Sequence, residues 1–574
     1  MSSFSQILSY FSPVAALRRL SFSRGTVKDD LLAGLTVSLV AIPQSLAYAQ
    51  LAGVPAYYGL YAALIPTIIG ALFGSSRQLS TGPVAMTSLL TAASVAPLAA
   101  QGSDQFYAYV VLLALVSGLF QIAFGLLRMG VLLNFLSHPV LMGFINAAAL
   151  IIGLSQLPAL LGVPAQQDSS FILNVWGVLS SVPQMHVMSF ILGASAIVML
   201  ITLKKYSPKL PGVLITVVLL TMISYLTDYA AKGGAVVGSI PEGLPSLGLP
   251  VMDYDSIIAL LPAAFVIALI SFMEAMSSSK VIAIKTRAQW DQNQELVGQG
   301  LAKVAASLSN TMPVSGSFSR SALNLASNAR SGLASIFGAS FVLLTLLFLT
   351  PLLYHLPKAV LAAIIMIAVF GLFNFSNFKK AFRTNRDDGI ASLTTFAATI
   401  AFAPNIQNGI LVGILLSLCL LLYRMMRPNI AILGVHHDET LRDKDRHGLE
   451  PMHPQLSALR FDGALRFVNV AYFEDALLKL ERENPELKHV LIKSSGINHV
   501  DASGVEMLAN LVTRFRDNGM TLNFSGFKYQ VQEVLDRTGL TEKIGKEHIF
   551  SNDKEALAFL NSELNLTQEK DEPR

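Results

Sequence analysis

From about residue 30 to residue 425 the chain is a succession of apolar runs separated by short polar breaks. A bilayer core takes about 20 apolar residues in a straight helix. The runs 31–52, 107–127, 187–203, 211–227, 256–279, 333–353, 357–373, 387–403 and 407–424 have that character. The runs 58–73, 84–99, 139–157, 294–312 and 319–331 are shorter or interrupted by Gly, Pro and small polar residues. Together they predict about fourteen spans, several of them imperfect by hydropathy. After residue 435 the pattern changes to a mixture of acids, bases and short apolar stretches. There "LSALRFDGALRFVNV" and "HVLIKSSGIN" predict strands, being β-branched or aromatic and bounded by Gly and Asn. "YFEDALLKLERENP" and "SGVEMLANLVTRFRDNG" carry Leu, Met and Val at helical spacing. Strand–helix alternation predicts a soluble α/β domain of roughly 120 residues.

Composition supports an integral membrane protein. Only 14% of the 574 residues are charged and 53% are hydrophobic, against about 25% charged in soluble domains, and mean hydropathy is +0.54. The net charge of +4 points to no nucleic-acid partner, because the basic residues gather in membrane loops. One set of alternate loops holds Arg77, Arg128, Lys204, Lys205, Lys209, Lys285, Arg287, Arg330, Lys379 and Lys380, and the other little besides Lys232 and Lys358. By the positive-inside rule the N-terminus and the soluble C-terminal domain are expected on the cytoplasmic side. Residues 1–28 lack the basic start and long apolar run of a cleavable signal. They read as a short amphipathic segment, with Arg18 and Arg19 at headgroup level, or as a tail. The expected division is an N-terminal segment 1–28, a membrane domain 29–427, a linker 428–455, a soluble domain 456–562 and a polar tail 563–574. A single cysteine, Cys419, excludes an internal disulfide and a multi-cysteine metal site; packing is its expected role.

Two interrupted segments resemble each other. "STGPVAMTSLLTAA" (80–93) and "VSGSFSRSALNLA" (314–326) both start with Gly and small polar residues and then turn apolar. Interrupted spans at matching positions in two halves of a membrane domain point to a transporter site at the bilayer midplane. A helix starting inside the membrane leaves its first N–H groups unpaired and attracts an anion. Gly82 and Gly316 would let backbone approach the ion, Ser317, Ser319 and Ser321 offer hydroxyl donors, and Arg320 offers a charged planar fork suited to an oxyanion. An intramembrane arginine is costly; besides an anion-site role, snorkelling and a structural ion pair both account for it.

Glu274, mid-span in "ALISFMEAMSSSK", is a candidate partner of Arg320. A buried carboxylate either pairs with a cation or takes up a proton. Ser278, four residues on, shares its face. Lys303 also falls in an apolar span and reads as snorkelling to the interface. In the first span Pro43 interrupts the helical ladder, and Gln44 and Tyr48, one turn apart, line either a polar cavity or an interhelical hydrogen bond.

"IPQSLAYAQLAGVPAYYGLY", "STGPVAM", "NQELVGQG" and "VSGSFSRSALN", in this order, resemble the sulfate permease (SulP) family of anion transporters over about residues 25 to 560. The resemblance implies fourteen transmembrane segments in two inverted repeats of seven. It implies a core domain that carries the anion past a gate domain in an elevator-like movement, and a homodimer. On the family's pattern Gln44 and Tyr48 fall at first-helix site positions. Pro83, Val84 and Ala85 fall at the start of the third segment. Ser317, Phe318, Ser319 and Arg320 fall at the tenth-segment site. Glu274 matches the eighth-segment glutamate of proton-coupled sulfate carriers. Together with "GSFSRSALN" it favours sulfate symported with protons over bicarbonate, C4-dicarboxylates, sodium coupling or anion exchange.

"INHVDASGVEML" resembles the STAS domain that such carriers share with bacterial anti-sigma factor antagonists, and Ser503 matches the serine phosphorylated there. Asp501 and Ser503 are expected to cap a helix, with a phosphoswitch at Ser503 as the alternative. His436 and His437 lack a further metal-ligand pattern and read as solvated. The soluble part has no Ser/His/Asp order, phosphate loop or metal cluster, so no enzyme, cofactor or metal is expected. The combined reading is a proton-coupled sulfate importer of the plasma (inner) membrane. The competing class is a membrane-anchored STAS scaffold, which has no need of buried Glu and Arg.

Overall fold

A computed structural model describes residues 10–564 apart from 13–16, 18, 19, 21, 130–136, 165–170, 208–209, 242, 372 and 404–405. The expectations for Arg18, Arg19, Lys209 and most of the tail lie outside the described residues. The chain divides into two compact units, Met1–Ser417 and Leu418–Arg574.

The first unit is helical, as the apolar runs require. Seven helices among the described residues are long and apolar enough to cross a bilayer, and others, such as Ala85–Val95 and Lys358–Phe370, are apolar but shorter. The elements that build the site, in chain order, are α1 (Arg24–Leu51), β1 (Ser80–Gly82), α2 (Ala85–Val95), α3 (Asp104–Leu126), α4 (Tyr254–Thr286), α5 (Gln292–Leu308), β2 (Ser315–Ser317) and α6 (Phe318–Ala326). The long helices start at side-chain caps: Ser23 for α1, Ser103 for α3, Asp253 for α4 and Asp291 for α5. Each cap satisfies an N–H that the first turn would otherwise leave unpaired. Pro43 does not end α1; the helix runs through it and keeps Gln44 and Tyr48 buried one turn apart.

Two buried acids tie the halves of this unit together. Asp30, on α1, accepts from Arg330 N (2.6 Å), Ser331 N (3.2 Å) and Ser331 Oγ (2.5 Å), just beyond α6. Glu295, on α5, accepts from Ser75 N and Ser76 N, both at 2.8 Å, just before β1. Each carboxylate satisfies backbone donors on a segment more than 200 residues away, which holds the loops flanking both interrupted segments.

The second unit is α/β. Its strands are β3 (Asn429–Val435), β4 (Leu441–Asp443), β5 (Leu456–Asp462), β6 (His489–Lys493), β7 (Thr521–Ser525) and β8 (Ile549–Phe550), in the spatial order β4-β3-β5-β6-β7-β8. The β5–β8 pairs are parallel, whereas β3 pairs antiparallel with β4 and β5. In β6, Val490 and Ile492 enter one core with Phe461, Phe473, Leu508 and Phe515, while Leu491 enters the other with Leu433 and Leu560. Period-2 alternation with both faces apolar is the mark of a sheet covered on both sides. Residues 428–455, expected as a linker, contain β3 and β4; "NIAILGV" carries the β-branched alternation of a strand. The stretch "LRFVNV", expected as strand, holds only an isolated bridge at Leu465 and then starts helix Val470–Glu483, because Asn469 turns the chain.

Helix Ala502–Asp517 is capped by Asp501, which accepts from Gly504 N (2.9 Å) and also from Phe467 N (2.9 Å). Ser503 sits inside the first turn, half-buried, and its side chain is not the cap. Desolvation pushes the Asp501 carboxyl up, but the N–H groups of Gly504, Phe467 and Ser503 outweigh it and hold the group below its ordinary 3.8. Asp501→Ala is expected to cost this unit about 1 kcal/mol in urea unfolding of a fragment spanning residues 428–564. That contribution is fully present above the ordinary value and fades as pH falls through the lowered one. An equal loss at pH 7 and at pH 2 would contradict the capping role.

At the β3–β4 turn, His436 Nδ1 lies 3.0 Å from Asp438 Oδ1. These two and His437 bring three possible ligand atoms within 4.8 Å of one another, which the pair of histidines alone did not suggest. Asp438 is already engaged by Thr440 N, Thr440 Oγ1 and the Arg442 guanidinium.

Candidate anion-binding site

The two interrupted segments pair with each other. β1 and β2 form an antiparallel ladder with Ser80 opposite Ser317, Thr81 opposite Gly316 and Gly82 opposite Ser315. Each strand leads into a short helix, α2 after β1 by way of Pro83 and Val84, and α6 directly after β2. Because the ladder is antiparallel, the two helices lead off from its opposite ends, and the ladder itself spans about 7 Å at roughly 3.4 Å per residue. Val84 caps α2 without a side-chain bond, leaving its first N–H groups for another partner; Ser317 caps α6 and accepts from Arg320 N (3.4 Å). Further bonds lock the pair: Ser80 N to Ser321 Oγ (2.8 Å), Asn324 Nδ2 to Gln78 O (3.2 Å) and Gln299 Nε2 to Thr81 Oγ1 (2.7 Å).

Arg320 reaches across this ladder. It is 2% exposed, its Nη1 donates to Pro83 O (2.9 Å), and its Nε donates to Ser80 Oγ (3.3 Å). Nη2 is buried with no partner. A Cβ on Gly82 would stand 3.0 Å from Nη2, so only glycine leaves that donor room. The guanidinium therefore clamps the first segment from the second and keeps one N–H edge unspent. Pro83, Val84 and Ala85 are buried beside it, whereas Phe318 (57% exposed) and Ser319 are open. Ser317 Oγ lies 3.4 Å from Ser319 Oγ.

Glu274, on α4, was expected to pair with Arg320. No direct ion pair forms between them; the arginine fork is turned to β1 and Pro83 instead. Glu274 hydrogen-bonds with Ser315 of β2 and acts on Arg320 and Lys303 through space, and its Oε2 is buried without a partner. Tyr48 is buried close enough to interact electrostatically with both Arg320 and Glu274. Gln44 Oε1 is likewise buried and unpartnered. Ser278 is buried one turn beyond Glu274. Native interiors leave few buried polar atoms unpaired. Three of them here, on Gln44, Glu274 and Arg320, belong to residues that share the Tyr48 neighbourhood or its helix. A cavity of about 20 Å³, lined in part by Ser45, Thr67, Ser80, Thr81, Gly82 and Arg320, has room for about one water.

Three further expectations change. Gly316 does not clear a path for an ion: a Cβ there would stand 3.0 Å from Ala275 Cα and Cβ, so the glycine brings β2 against α4 and Ser315 to Glu274. Lys303 does not snorkel; it is 0% exposed, with Nζ donating to Gln121 Oε1 (2.7 Å) and Ser271 Oγ (2.5 Å). Cys419 is exposed on its helix rather than packed inside the chain. Sequence reasoning missed Asp30, Gln121, Ser271 and Glu295. Glu295 lay in plain view in "NQELVGQG", and a buried acid inside an apolar span was its available signal. Gly316→Ala is expected to wedge β2 away from α4 and slow transport on the order of tenfold or more, with the protein still monodisperse in detergent. Wild-type rates in that variant would show that the close approach is dispensable.

Residues 27–395 match the sulfate permease family and residues 451–556 match the STAS domain. The chain is 33% identical to sulfate transporter 4.1, chloroplastic, of Arabidopsis thaliana over 542 residues, covering 91% of this chain and 78% of that one. The structure of murine SLC26A9 in the inward-facing state superposes with a TM-score of 0.87 at 21% identity, covering 98% of this chain and 95% of that one. The transmembrane domain of the cyanobacterial bicarbonate transporter BicA gives 0.58 at 25% identity, covering 69% and 98%. The fold is therefore that of SLC26 transporters.

Proposed function

Since the chain belongs to the sulfate permease family, a family of multi-pass membrane transporters here joined to a STAS domain, we propose that it is a secondary active transporter importing sulfate together with protons. The observation that carries this reading is the Arg320 clamp: two interrupted segments held together by a guanidinium with one buried N–H edge unspent. In this reading sulfate meets that edge, the free N–H groups at the start of α2 around Pro83, Val84 and Ala85, and the hydroxyls of Ser317 and Ser319. Phe318, Gln44 and Tyr48 line the approach. The N–H groups at a helix start favour an anion such as sulfate there.

Glu274 is the coupling group. Ser315 has one hydroxyl hydrogen. Its Oγ lies 3.2 Å from Ser271 O and also hydrogen-bonds with Glu274. Protonated, Glu274 donates to Ser315, which donates to Ser271 O. Ionised, Glu274 takes the hydrogen itself. The same serine thus serves both states. The core, with β1, β2, α2 and α6, moves past a gate domain in an elevator-like step within a homodimer. The protein lies in the plasma (inner) membrane with the N-terminus and STAS domain cytoplasmic and with Ser503 open to regulation.

Radiolabelled sulfate uptake into proteoliposomes, with an imposed inward proton gradient and with sodium in its place, tests this reading. Uptake that follows sodium and ignores the proton gradient would replace the coupling ion. Competition by bicarbonate or a C4-dicarboxylate stronger than by sulfate would replace the substrate.

A further inference from the structure

One buried charge is unused by the mechanism above. Lys303 projects from α5 into the contact with α3, and its ammonium donates to Gln121 Oε1 and Ser271 Oγ, which also hydrogen-bond with each other at 3.3 Å. The stem is held there by close backbone approach: a Cβ on Gly118 would stand 2.9 Å from Gly300 O and 2.9 Å from Lys303 Cβ. Small residues at such a contact let two membrane helices meet closely, and here they leave the lysine no route to the surface. Neither of its acceptors is charged. Ser271 lies one turn before Glu274 on α4, and its carbonyl accepts from Ser315, the hydrogen-bond partner of Glu274. Lys303 is thus joined through Ser271 to Ser315 of β2, the strand that carries the interrupted segment. Tyr48 faces Arg320 and Glu274 from α1.

We propose that Lys303 is a resident counter-charge for the transported anion, setting the net charge of the loaded site. With Glu274 protonated, Lys303 and Arg320 supply two positive charges against the two of sulfate, so the loaded site crosses the membrane neutral. On the empty return Glu274 is ionised and the site carries one positive charge. The membrane potential then acts on the return step and not on the loaded one. Without Lys303 the assignment is inverted: the loaded site carries a net negative charge and the empty site none. The inference rests on the proton-coupled sulfate reading, and it moves the voltage-sensitive step without changing stoichiometry.

The test is sulfate–sulfate exchange by the full-length protein in liposomes, at acidic pH on both sides, under potassium–valinomycin potentials. Exchange uses only the loaded step. The wild type is expected to exchange at one rate with and without an applied potential, while its net uptake responds to potential. Lys303→Gln is expected to exchange at a rate that changes with potential, by up to about sevenfold per 100 mV for one charge crossing the whole field to a midway barrier. Lys303→Arg is expected to restore the flat response. Flat exchange in Lys303→Gln would overturn the proposal and leave Lys303 as a packing residue. Wild-type exchange that is itself steep in potential would overturn it with no variant needed. A wild type that exchanges no sulfate at all would sink the sulfate reading and this inference with it, and is distinguishable from both.

Discussion

Arg320→Ala is expected to abolish sulfate binding and uptake. The guanidinium makes two bonds across the ladder, to Pro83 O and Ser80 Oγ, and keeps Nη2 in reserve. Alanine removes all three. Hydrogen bonds to a charged group are worth about 1.5–3 kcal/mol each, so loss of the anion's own contact alone weakens binding by roughly 10–100-fold. Loss of the clamp adds to that by freeing Pro83 O in a buried site. Arg320→Lys separates charge from geometry. A lysine keeps the positive charge but not the fork, so it can serve either the ladder or the anion. That variant is expected to bind sulfate weakly and to transport poorly. The measurement is equilibrium binding of labelled sulfate to purified protein, beside uptake in liposomes. Sulfate affinity unchanged in Arg320→Ala would remove the residue from the site and leave it as a structural tie.

The clamp also shows where sequence reading reached and where it stopped. Both interrupted segments were visible because Gly, Ser and Pro break a hydrophobic pattern that is otherwise continuous, and a break inside a membrane needs a reason. The long spans were visible for the converse reason. Nothing local said that residues 80–82 and 315–317 pair: three residues a side is too short for a strand signal, and the partners stand 237 positions apart at the Arg320–Pro83 bond. The direction of the Arg320 fork follows from that pairing, so its contact with Pro83 is not legible in the sequence, where Glu274 is the nearest intramembrane candidate partner. Lys303 was misplaced for a related reason. Whether a lysine in an apolar span snorkels depends on which face of its helix meets a neighbour, and the Gly118–Gly300 contact that decides this joins helices far apart in sequence. In the soluble unit, strand β3 starts three residues after a membrane helix ends, and Pro428 and Asn429 are the turn residues that mark the break.

Glu274→Gln is expected to flatten the pH dependence of sulfate binding at the level the wild type reaches in acid. The sign follows from charge. Ionised Glu274 puts a negative charge near an anion that carries two. At an effective dielectric of about 20, such repulsion at site-scale separations amounts to a few kcal/mol, or about two to three decades in affinity. Protonation removes it, so proton and sulfate bind with positive linkage and each raises the affinity for the other by the same factor. Glutamine has the neutral shape and can donate to Ser315 as the protonated acid does. The variant should therefore bind sulfate at neutral pH about as tightly as the wild type does in acid. It should also lose accumulation driven by a proton gradient while retaining exchange. The Ser315 relay gives a second check: Ser315→Ala removes the hydroxyl that serves both states of Glu274 and should shift the midpoint of the wild-type pH profile without abolishing binding. Uptake by Glu274→Gln as strongly driven by a pH gradient as in the wild type would move proton coupling to another group. Sulfate binding that weakens as the medium is acidified would reverse the linkage altogether.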